Sequence, residues 1–280
     1  MLDTGIKIKN WLQKYLEYAN LNTFVIGVSG GIDSALTSTL CAMTGKPTIL
    51  VSMPIYQSSR ELERAENHMK WLSEKYENVE NLEFDLSQTY QTFKLMWLNQ
   101  DDNLALANTR SRLRMTTLYH IATMNKGLVV GTGNKVEDFG IGFYTKYGDG
   151  GVDISPIADL MKSEVRELSK SLNINKEIID APPTDGLWDD GRTDESQIGA
   201  TYDELEWAMT FIDNNWFWES GMENEGFLDY DTETNKSIVH KEDINLSDRE
   251  KEVLTIYQKF HNQNKHKMVE IPIFKNEQIN

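Results

Sequence analysis

Three short runs of apolar residues, separated by stretches with helical periodicity, constrain this chain of 280 residues more than any other feature. Each run is apolar almost throughout, and a strand of that kind is buried on both faces of a sheet. The runs lie at residues 23–28, 48–53 and 127–132, with a further candidate strand at 82–86. Helical spacing of apolar side chains covers residues 5–20, 33–43, 58–75, 104–125 and 160–172. The alternation predicts an α/β fold in which a doubly wound, mostly parallel sheet has helices on both faces.

The segment directly after the first run is the strongest candidate for a binding site, because ligands of such sheets lie beyond the carboxyl ends of the strands. Its sequence is SGGIDS, at residues 29–34. Two glycines allow a tight turn that directs backbone N–H groups at a ligand, and the N-terminus of the following helix favours an anion. A carboxylate such as Asp33 faces a phosphate only with a divalent cation between them. The alternative is a structural turn in which Asp33 or Ser34 caps the helix.

Charge and cysteine content exclude several classes of protein. Twenty-eight basic and 44 acidic residues give a formal charge of −16, which argues against a general nucleic-acid binder. Eighteen acids and only four bases lie between residues 186 and 250, so the rest of the chain is nearly neutral. Cys41 is the single cysteine, which excludes disulfides, and its apolar neighbours predict a core position. With no 18-residue apolar stretch and no signal-peptide core, we expect a soluble cytoplasmic protein that does not span a membrane.

Three further motifs follow in a fixed order along the chain. NTRSRLRM at residues 108–115 carries three arginines, GTGNKVE at 131–137 overlaps the end of the 127–132 run, and FYTKYGDGGVD at 143–153 comes next. Arginines at this spacing are also typical of a solvated helix face. An aspartate among glycines, as at Asp149 or Asp153, is also typical of a turn or cap.

These motifs, together with SGGIDS, resemble the ammonia-dependent NAD synthetases of the N-type ATP pyrophosphatase superfamily. The resemblance covers about residues 5–210 and the pair His266-Lys267 near the C-terminus. It implies a ligase that uses ATP to activate deamido-NAD as an adenylate, which ammonia then converts to NAD with release of AMP. This is the final step of NAD biosynthesis, and pyrophosphate is the other product. The resemblance also implies a homodimer with the dinucleotide at or near the subunit interface.

The resemblance assigns roles to residues of this sequence position by position. Asp33 and Glu137 match the carboxylates that bind Mg²⁺. The positions that match contacts to ATP or pyrophosphate are Gly27, Ser29, Gly30, Gly31, Asp33, Ser34, Thr132, Lys162 and Thr184. Those that match contacts to deamido-NAD are Arg112, Lys146, Asp153, His266 and Lys267. Asp33, Lys146 and Lys162 are the candidate catalytic residues.

The residue types suit the chemistry independently of the family. A free carboxylate is a poor electrophile, so amidating it requires prior activation, here by attack on the α-phosphate of ATP. The departing pyrophosphate needs cationic stabilisation, which Mg²⁺, Lys162 and the N–H groups of the 29–34 loop supply. Two carboxylates from separate segments suffice for Mg²⁺ when phosphates and waters complete its coordination.

Two features depart from the family pattern. The segment 138–142 is one residue longer than the commoner family spacing, which leaves the register of Glu137 open. Residues 214–248 match no family motif and are interpreted as an acidic insertion in a single domain spanning 1–280, solvated or binding a partner. No amidohydrolase domain precedes the 29–34 loop, so we expect no fused glutaminase domain and free ammonia, or ammonia from a separate protein, as nitrogen source.

Two other functions compete with this interpretation. A superfamily member acting on another nucleotide or on tRNA has the same loop, although a tRNA substrate predicts a basic face. A non-catalytic sensor of adenine nucleotides needs no second metal carboxylate and no lysine pair, yet Glu137, Lys146 and Lys162 are all present.

Overall fold

A parallel sheet of four strands lies at the centre of the computed structural model, in the order β3-β2-β1-β4. The model describes residues 1–97, 102–184, 186–187, 192–215, 228–231, 236–239 and 246–274. The strands are β1 (Thr23–Gly27), β2 (Thr48–Ser52), β3 (Val79–Glu83) and β4 (Gly127–Val129). Strand β1 is flanked on both sides, since Val25 pairs with Ile49 of β2 and with Val129 of β4.

Helices connect the strands and form the C-terminal part of the chain. They are α1 (Leu2–Tyr18), α2 (Ile32–Ala42), α3 (Ser59–Lys75), α4 (Ser87–Leu95), α5 (Asn103–Met124), α6 (Lys162–Ser171), α7 (Lys176–Ile179), α8 (Asp194–Ile198), α9 (Tyr202–Asn215) and α10 (Asp248–Met268). A π-helical segment, Val136–Ile141, which we call the π-turn, follows β4. Strands β5 (Leu228–Asp231) and β6 (Lys236–Val239) form an antiparallel hairpin.

Several helices begin where the sequence places a capping side chain. Ser58 accepts a hydrogen bond from the backbone N–H of Glu61 at the start of α3, and Asp102 accepts one from Ala105 at the start of α5. Helix α10 begins with a reciprocal pair, in which Ser247 and Glu250 each accept from the other's backbone N–H. These contacts satisfy N–H groups that the first helical turn leaves unpaired.

The two faces of the sheet carry different helices, which explains why the central strands are apolar at every position. Phe24 and Ile26 of β1 face the core formed with α1, α2, α3 and α6. Val25, between them, faces the smaller core formed with α5. A third core joins the π-turn to α8, α9 and α10. Its buried members are Val136, Ile141, Ile198, Ala200, Tyr202, Leu205, Ala208, Met209, Val253, Leu254 and Tyr257.

The predicted α/β fold is confirmed, with differences in detail. Strand β3 begins three residues before the predicted 82–86, because it is an edge strand whose residues Glu80, Asn81 and Glu83 are exposed and dilute the apolar signal. Cys41 is fully buried, as expected, and burial raises the pKa of its thiol. Among the described residues, no helix is both long and apolar enough to cross a membrane. Most of the predicted 214–248 insertion, including Trp216, Phe217 and Trp218, lies outside the described residues.

Candidate active site

A cavity of about 250 Å³ lies at the carboxyl ends of β1, β2 and β4. Its lining comes from residues 27–29 and 31–34, the N-terminal part of α3, one side of α5, the π-turn, and residues 179, 181–184, 186 and 187. The position agrees with the expectation that ligands lie beyond the carboxyl ends of parallel strands. All the predicted ATP-contacting residues except Gly30 line this cavity directly.

The phosphate loop, residues 29–34, holds its shape through its own groups. The Ser34 hydroxyl accepts from the backbone N–H of Ser29 at 3.2 Å and donates to the carbonyl of Gly31 at 2.9 Å. Gly31, in extended conformation, is the N-cap of α2. The alternative that Asp33 or Ser34 caps the helix is therefore wrong. The Asp33 side chain points away from the helix and accepts from residues of other segments.

Gly30 has a conformation that a larger residue tolerates poorly. Its φ is +85°, in the left-handed region, and a Cβ there would collide with the carbonyl oxygen of Glu61. Arg64 Nε donates to the Gly30 carbonyl at 3.2 Å and turns that oxygen towards α3. Close packing of α3 on the turn thus requires glycine at this position.

Lys162 joins the two predicted metal carboxylates. Its Nζ lies 2.6 Å from Asp33 Oδ2 and 3.0 Å from Glu137 Oε1, and the residue is 2% exposed. Burial opposes the charge of Lys162, but the two carboxylates more than offset this and raise its pKa above the usual value. For Glu137, burial raises the pKa, and Lys162 counteracts that rise.

Asn134 also connects the two carboxylate segments, in a role that its neighbours in the sequence do not indicate. Its Nδ2 donates to Asp33 Oδ1 at 3.1 Å, while its Oδ1 accepts from the backbone N–H of Glu137 at 3.2 Å. Asn134 is fully buried. One amide therefore orients both acids.

The π-turn begins one residue before Glu137 and includes most of the 138–142 segment that is expected to be one residue longer than the commoner family spacing. A π-helical turn holds one residue more than an α-helical turn. The backbone N–H of Phe143 donates to the Glu137 carbonyl at 3.0 Å, and Gly142, with φ of +62°, ends the turn. In this turn the Glu137 carboxylate contacts Lys162, and the match of Glu137 to the metal ligand of the family stays a prediction.

Tyr202, His261 and Asn264 contact the π-turn, and the sequence interpretation predicted no role for any of the three. The Tyr202 hydroxyl donates to Glu137 Oε1, and burial with the nearby carboxylates raises its pKa. His261 Nδ1 lies 2.7 Å from the Gly140 carbonyl, and Asn264 Nδ2 donates to the Ile141 carbonyl at 2.9 Å. These residues lie on α9 and α10, far from Glu137 in the sequence, and only the folding of the chain brings them to the π-turn.

Four of the predicted deamido-NAD residues, Arg112, Lys146, His266 and Lys267, lie together outside the cavity lining, and we call this group the rim. Arg112 Nη2 donates to the Lys146 carbonyl at 3.3 Å, and Lys146 Nζ donates to the His266 carbonyl at 3.1 Å. Lys267 Nζ donates to the Tyr144 carbonyl at 2.7 Å. The C-terminal helix thus contacts the FYTK segment.

Asp153 and Asp149 use their carboxylates to stabilise the backbone. Asp153 Oδ2 accepts from the backbone N–H of Val129 at 2.7 Å and lies apart from the rim. Asp149 Oδ1 accepts from Ser111 Oγ at 2.7 Å and from the Thr145 N–H at 3.0 Å. The turn-forming alternative for Asp149 therefore matches the geometry, and the role of Asp153 at the substrate stays a prediction.

Two of the three arginines on α5 are not on a solvated face. Arg110 is 6% exposed and lies over the ring of Tyr90. Arg114 lines the cavity and donates to the Met53 carbonyl at 3.1 Å. Arg64 and Arg166 line the same cavity from α3 and α6. These side chains add positive charge where an anion enters.

Asp138 and Thr184 complete the described lining. Asp138 is half-buried against Gly133, where any Cβ would collide with its carboxylate. Burial, together with Glu137 and other nearby carboxylates, raises the pKa of Asp138 to about 8. Thr184 Oγ1 donates to Glu61 Oε1 at 2.7 Å, so residue 184 contacts the start of α3.

The Asp33 and Glu137 carboxylates suit Mg²⁺ better than they suit a metal ion whose ligands all come from the protein. No group of three or more His, Cys, Asp or Glu side chains with metal-binding geometry forms within the described ranges. Mg²⁺ usually takes one or two carboxylates and completes its octahedron with water and substrate phosphates. Asp33 and Glu137, already converging on one cation, provide that set.

Comparisons with known proteins agree with one another. The family model described as NAD synthase matches residues 6–251. The NH(3)-dependent NAD(+) synthetase of Carboxydothermus hydrogenoformans is 39% identical over 201 residues, which are 71% of this chain and 82% of the relative. A structure of NMN synthetase from Francisella tularensis has a TM-score of 0.78 and 29% identity and covers 98% of both chains. An NH3-dependent NAD synthetase from Campylobacter jejuni shares the fold, with a TM-score of 0.72, 23% identity and coverage of 98% and 99%.

Proposed function

Because the chain belongs to the NAD synthase family, we propose that its cavity binds ATP and Mg²⁺ through Asp33, Glu137 and Lys162. The reaction is that of the NH3-dependent NAD synthetases, in which deamido-NAD, ATP and ammonia give NAD, AMP and pyrophosphate. The enzyme is a carbon–nitrogen ligase. The observation that carries the site assignment is the convergence of two acids from separate segments on Lys162.

The phosphate loop and Lys162 carry out the first half of the reaction. A carboxylate oxygen of deamido-NAD attacks the α-phosphorus of ATP, the bond from that phosphorus to the bridging oxygen breaks, and pyrophosphate leaves. The loop N–H groups and the N-terminus of α2 orient the phosphates, and Lys162 stabilises the charge on the leaving group. Asp33 and Glu137 hold Mg²⁺, which when bound neutralises phosphate charge.

Ammonia completes the reaction at the acyl-adenylate. Its nitrogen attacks the carbonyl carbon, the nitrogen loses a proton, and AMP departs as the amide forms. The rim residues Arg112, Lys146, His266 and Lys267 bind deamido-NAD and keep its nicotinate carboxylate directed into the cavity. Their mutual hydrogen bonds give this positive group a fixed shape.

The direct test is to incubate the protein with ATP, Mg²⁺, ammonium and deamido-NAD and to follow NAD and AMP. We expect both products in equal amounts, and Asp33→Asn lowers their formation by about 1,000-fold because the metal loses a ligand. Asp159→Asn is the matched control, since Asp159 is exposed and its ion pair with Lys135 lies outside the cavity lining. Wild-type turnover by Asp33→Asn contradicts the metal assignment.

Ammonia is the proposed nitrogen source. Replacing ammonium by glutamine in the same assay tests this, and equal efficiency with glutamine contradicts it. The cytoplasmic location and the single domain of residues 1–280 with an insertion at 214–248 remain predictions.

A homodimer is the proposed assembly. The cavity of about 250 Å³ is smaller than the roughly 300–1,000 Å³ of typical small-molecule sites, so deamido-NAD extends beyond it. An exposed apolar group at the end of α4 and the start of α5, comprising Leu95, Met96, Trp97 and Leu104, provides a surface for a second copy. Light scattering in solution is expected to give twice the 32.2 kDa of one chain. A mass of 32.2 kDa contradicts the dimer.

Nicotinate mononucleotide is a second candidate substrate. The NMN synthetase structure matches this chain over its full length with a higher TM-score than the Campylobacter jejuni enzyme, 0.78 against 0.72. Amidation of the mononucleotide uses the same chemistry at the same carboxylate. Measuring kcat/KM for deamido-NAD and for nicotinate mononucleotide separates the two, and a higher value for the mononucleotide favours the second.

A further inference from the structure

The π-turn has backbone carbonyls that accept hydrogen bonds from outside the turn. The last carbonyls of any helix lack intrahelical N–H partners, and a π-turn of one turn has few to offer. Gly140 and Ile141 accept instead from α10, through His261 Nδ1 at 2.7 Å and Asn264 Nδ2 at 2.9 Å. A carbonyl only accepts, so Nδ1 of His261 carries the hydrogen. The C-terminal helix therefore fixes the backbone that bears Glu137.

The packing of α10 against the π-turn leaves no space for another arrangement. Gly142, at the end of the turn, has a φ of +62°, and a Cβ there would collide with Asn264 Cβ and approach Met268 Cε to 2.8 Å. His261 and Asn264 lie three residues apart on α10, and residues at that spacing share one helix face. The face that closes on Gly142 is thus the face that donates the two hydrogen bonds.

Helix α9 fixes the other end of Glu137, its carboxylate. The Tyr202 hydroxyl donates to Glu137 Oε1, the same oxygen that Lys162 contacts. The Tyr202 side chain is fully buried, and Lys162 Nζ lies 4.5 Å from the centre of its ring. The same hydroxyl lies 3.4 Å from Asp194 Oδ2, so Tyr202 reaches the cavity through Glu137, Lys162 and Asp194.

We infer that Tyr202 and His261 are positioning residues that set the location of the Glu137 carboxylate and thereby the cation affinity of the site. The inference rests on the proposed role of Glu137 as a metal ligand. Neither side chain is among the residues that line the cavity. An apolar core that includes Leu205, Val253 and Leu254 also holds α9 and α10 together.

Mn²⁺ binding to the full chain, measured with a non-hydrolysable ATP analogue present, tests the inference without turnover. Tyr202→Phe removes one hydroxyl and is expected to weaken Mn²⁺ affinity about tenfold. His261→Leu is expected to weaken it several-fold, while His261→Asn keeps a donor near Nδ1 and restores most of the affinity. The KM for deamido-NAD and the Tm are expected to stay near those of the wild type in all three variants.

Tyr257→Phe is the matched control, because Tyr257 is a buried tyrosine of α10 that packs against Gly140 and not against the Asp33 or Glu137 carboxylate. Its Mn²⁺ affinity is expected to be unchanged. Wild-type affinity in both Tyr202→Phe and His261→Leu, or an equal loss in Tyr257→Phe, overturns the inference.

Glu137→Gln distinguishes failure of the inference from failure of the proposed function. If Glu137→Gln weakens Mn²⁺ binding while Tyr202→Phe and His261→Leu do not, the positioning role alone is wrong. If Glu137→Gln binds Mn²⁺ as tightly as the wild type, the metal assignment fails and the inference fails with it.

Discussion

The phosphate loop and the π-turn each bring one acid to Lys162, but they are held in different ways. Within residues 29–34, three hydrogen bonds of the Ser29 and Ser34 hydroxyls join groups at most five positions apart, and one bond to the Gly30 carbonyl comes from Arg64 of α3. The π-turn depends on Tyr202, His261 and Asn264, which lie 65, 121 and 123 positions from the groups they contact. One half of the metal site is therefore encoded locally, and the other half exists only once the C-terminal helices have packed.

Gly30→Ala is expected to have the largest effect, because it disrupts the locally encoded half. Its Cβ collides with the Glu61 carbonyl, and the left-handed φ adds strain of about 1–3 kcal/mol. Displacing the loop by about 1 Å lowers kcat/KM for ATP by about 100-fold. Steady-state kinetics at varied ATP measure this.

Gly45→Ala is the control for Gly30→Ala. Gly45 has a φ of +73°, yet nothing lies within 4 Å of an added Cβ. We expect a small loss of stability from its backbone strain and wild-type turnover. Equal activity of the two variants shows that the contact with α3 does not shape the loop.

Gly142→Ala is expected to disrupt the half of the metal site that carries Glu137, which α9 and α10 hold in place. The added Cβ pushes α10 from the π-turn, so the Mg²⁺ concentration for half-maximal rate is expected to rise about tenfold. Titration of activity with Mg²⁺ at saturating ATP gives this value. Gly199→Ala, with a φ of +89° but its nearest neighbour, Ile256, 3.7 Å away, is expected to leave it unchanged. A similar rise in the Mg²⁺ requirement of both variants shows that backbone strain, and not displacement of α10, causes the effect.

Lys146→Ala tests the rim, which belongs to neither half of the metal site. Lys146 contacts α10 through the His266 carbonyl and has no contact with Asp33 or Glu137. Its loss is expected to raise the KM for deamido-NAD roughly tenfold through one missing charge–anion contact, with the KM for ATP unchanged. Lys135→Ala, which removes a cation that pairs with Asp159, is the control. An unchanged KM for deamido-NAD in Lys146→Ala refutes the rim assignment.

His68 offers a test with no expected effect on turnover at neutral pH. It is buried on α3 behind the phosphate loop, where its Nε2 lies 2.9 Å from Ser38 Oγ of α2. Burial lowers its pKa from 6.5 to about 4. Between these pH values the unfolded chain binds a proton that the folded protein does not.

The free energy of unfolding is therefore expected to fall by about 3 kcal/mol as pH drops from 6.5 to 4, with no contribution above 6.5. Urea unfolding at several pH values measures it, and His68→Gln removes this component of the fall. His120→Gln, at an exposed site on α5, leaves the fall intact. A wild-type pH profile in His68→Gln excludes His68 as the cause.

The contrast between local and remote contacts explains which parts of the structure the sequence predicts. The central strands and the phosphate loop carry their signal in consecutive residues, because apolar runs and a glycine pair need no distant partner. Strand β3 was misplaced because an edge strand lacks the continuous apolar pattern. Asn134 and Tyr202 have no local signal at all, since their importance arises from what other segments bring to them. The prediction of Glu137 as a metal ligand came from the resemblance to a family, and its register there stays a prediction.

The order of the strands in the sheet determines where the site lies. From β1 the chain moves through α2 to β2 and then to β3 on one side, whereas β4 returns to the opposite side of β1 through α5. The two crossovers consequently cover opposite faces of the sheet and diverge at the carboxyl ends of β1 and β4. That divergence is a topological switch point, which leaves a crevice between the strands. Asp33 follows β1 and Glu137 follows β4, so any later change of loops or helices that preserves this order keeps the two acids on either side of the crevice.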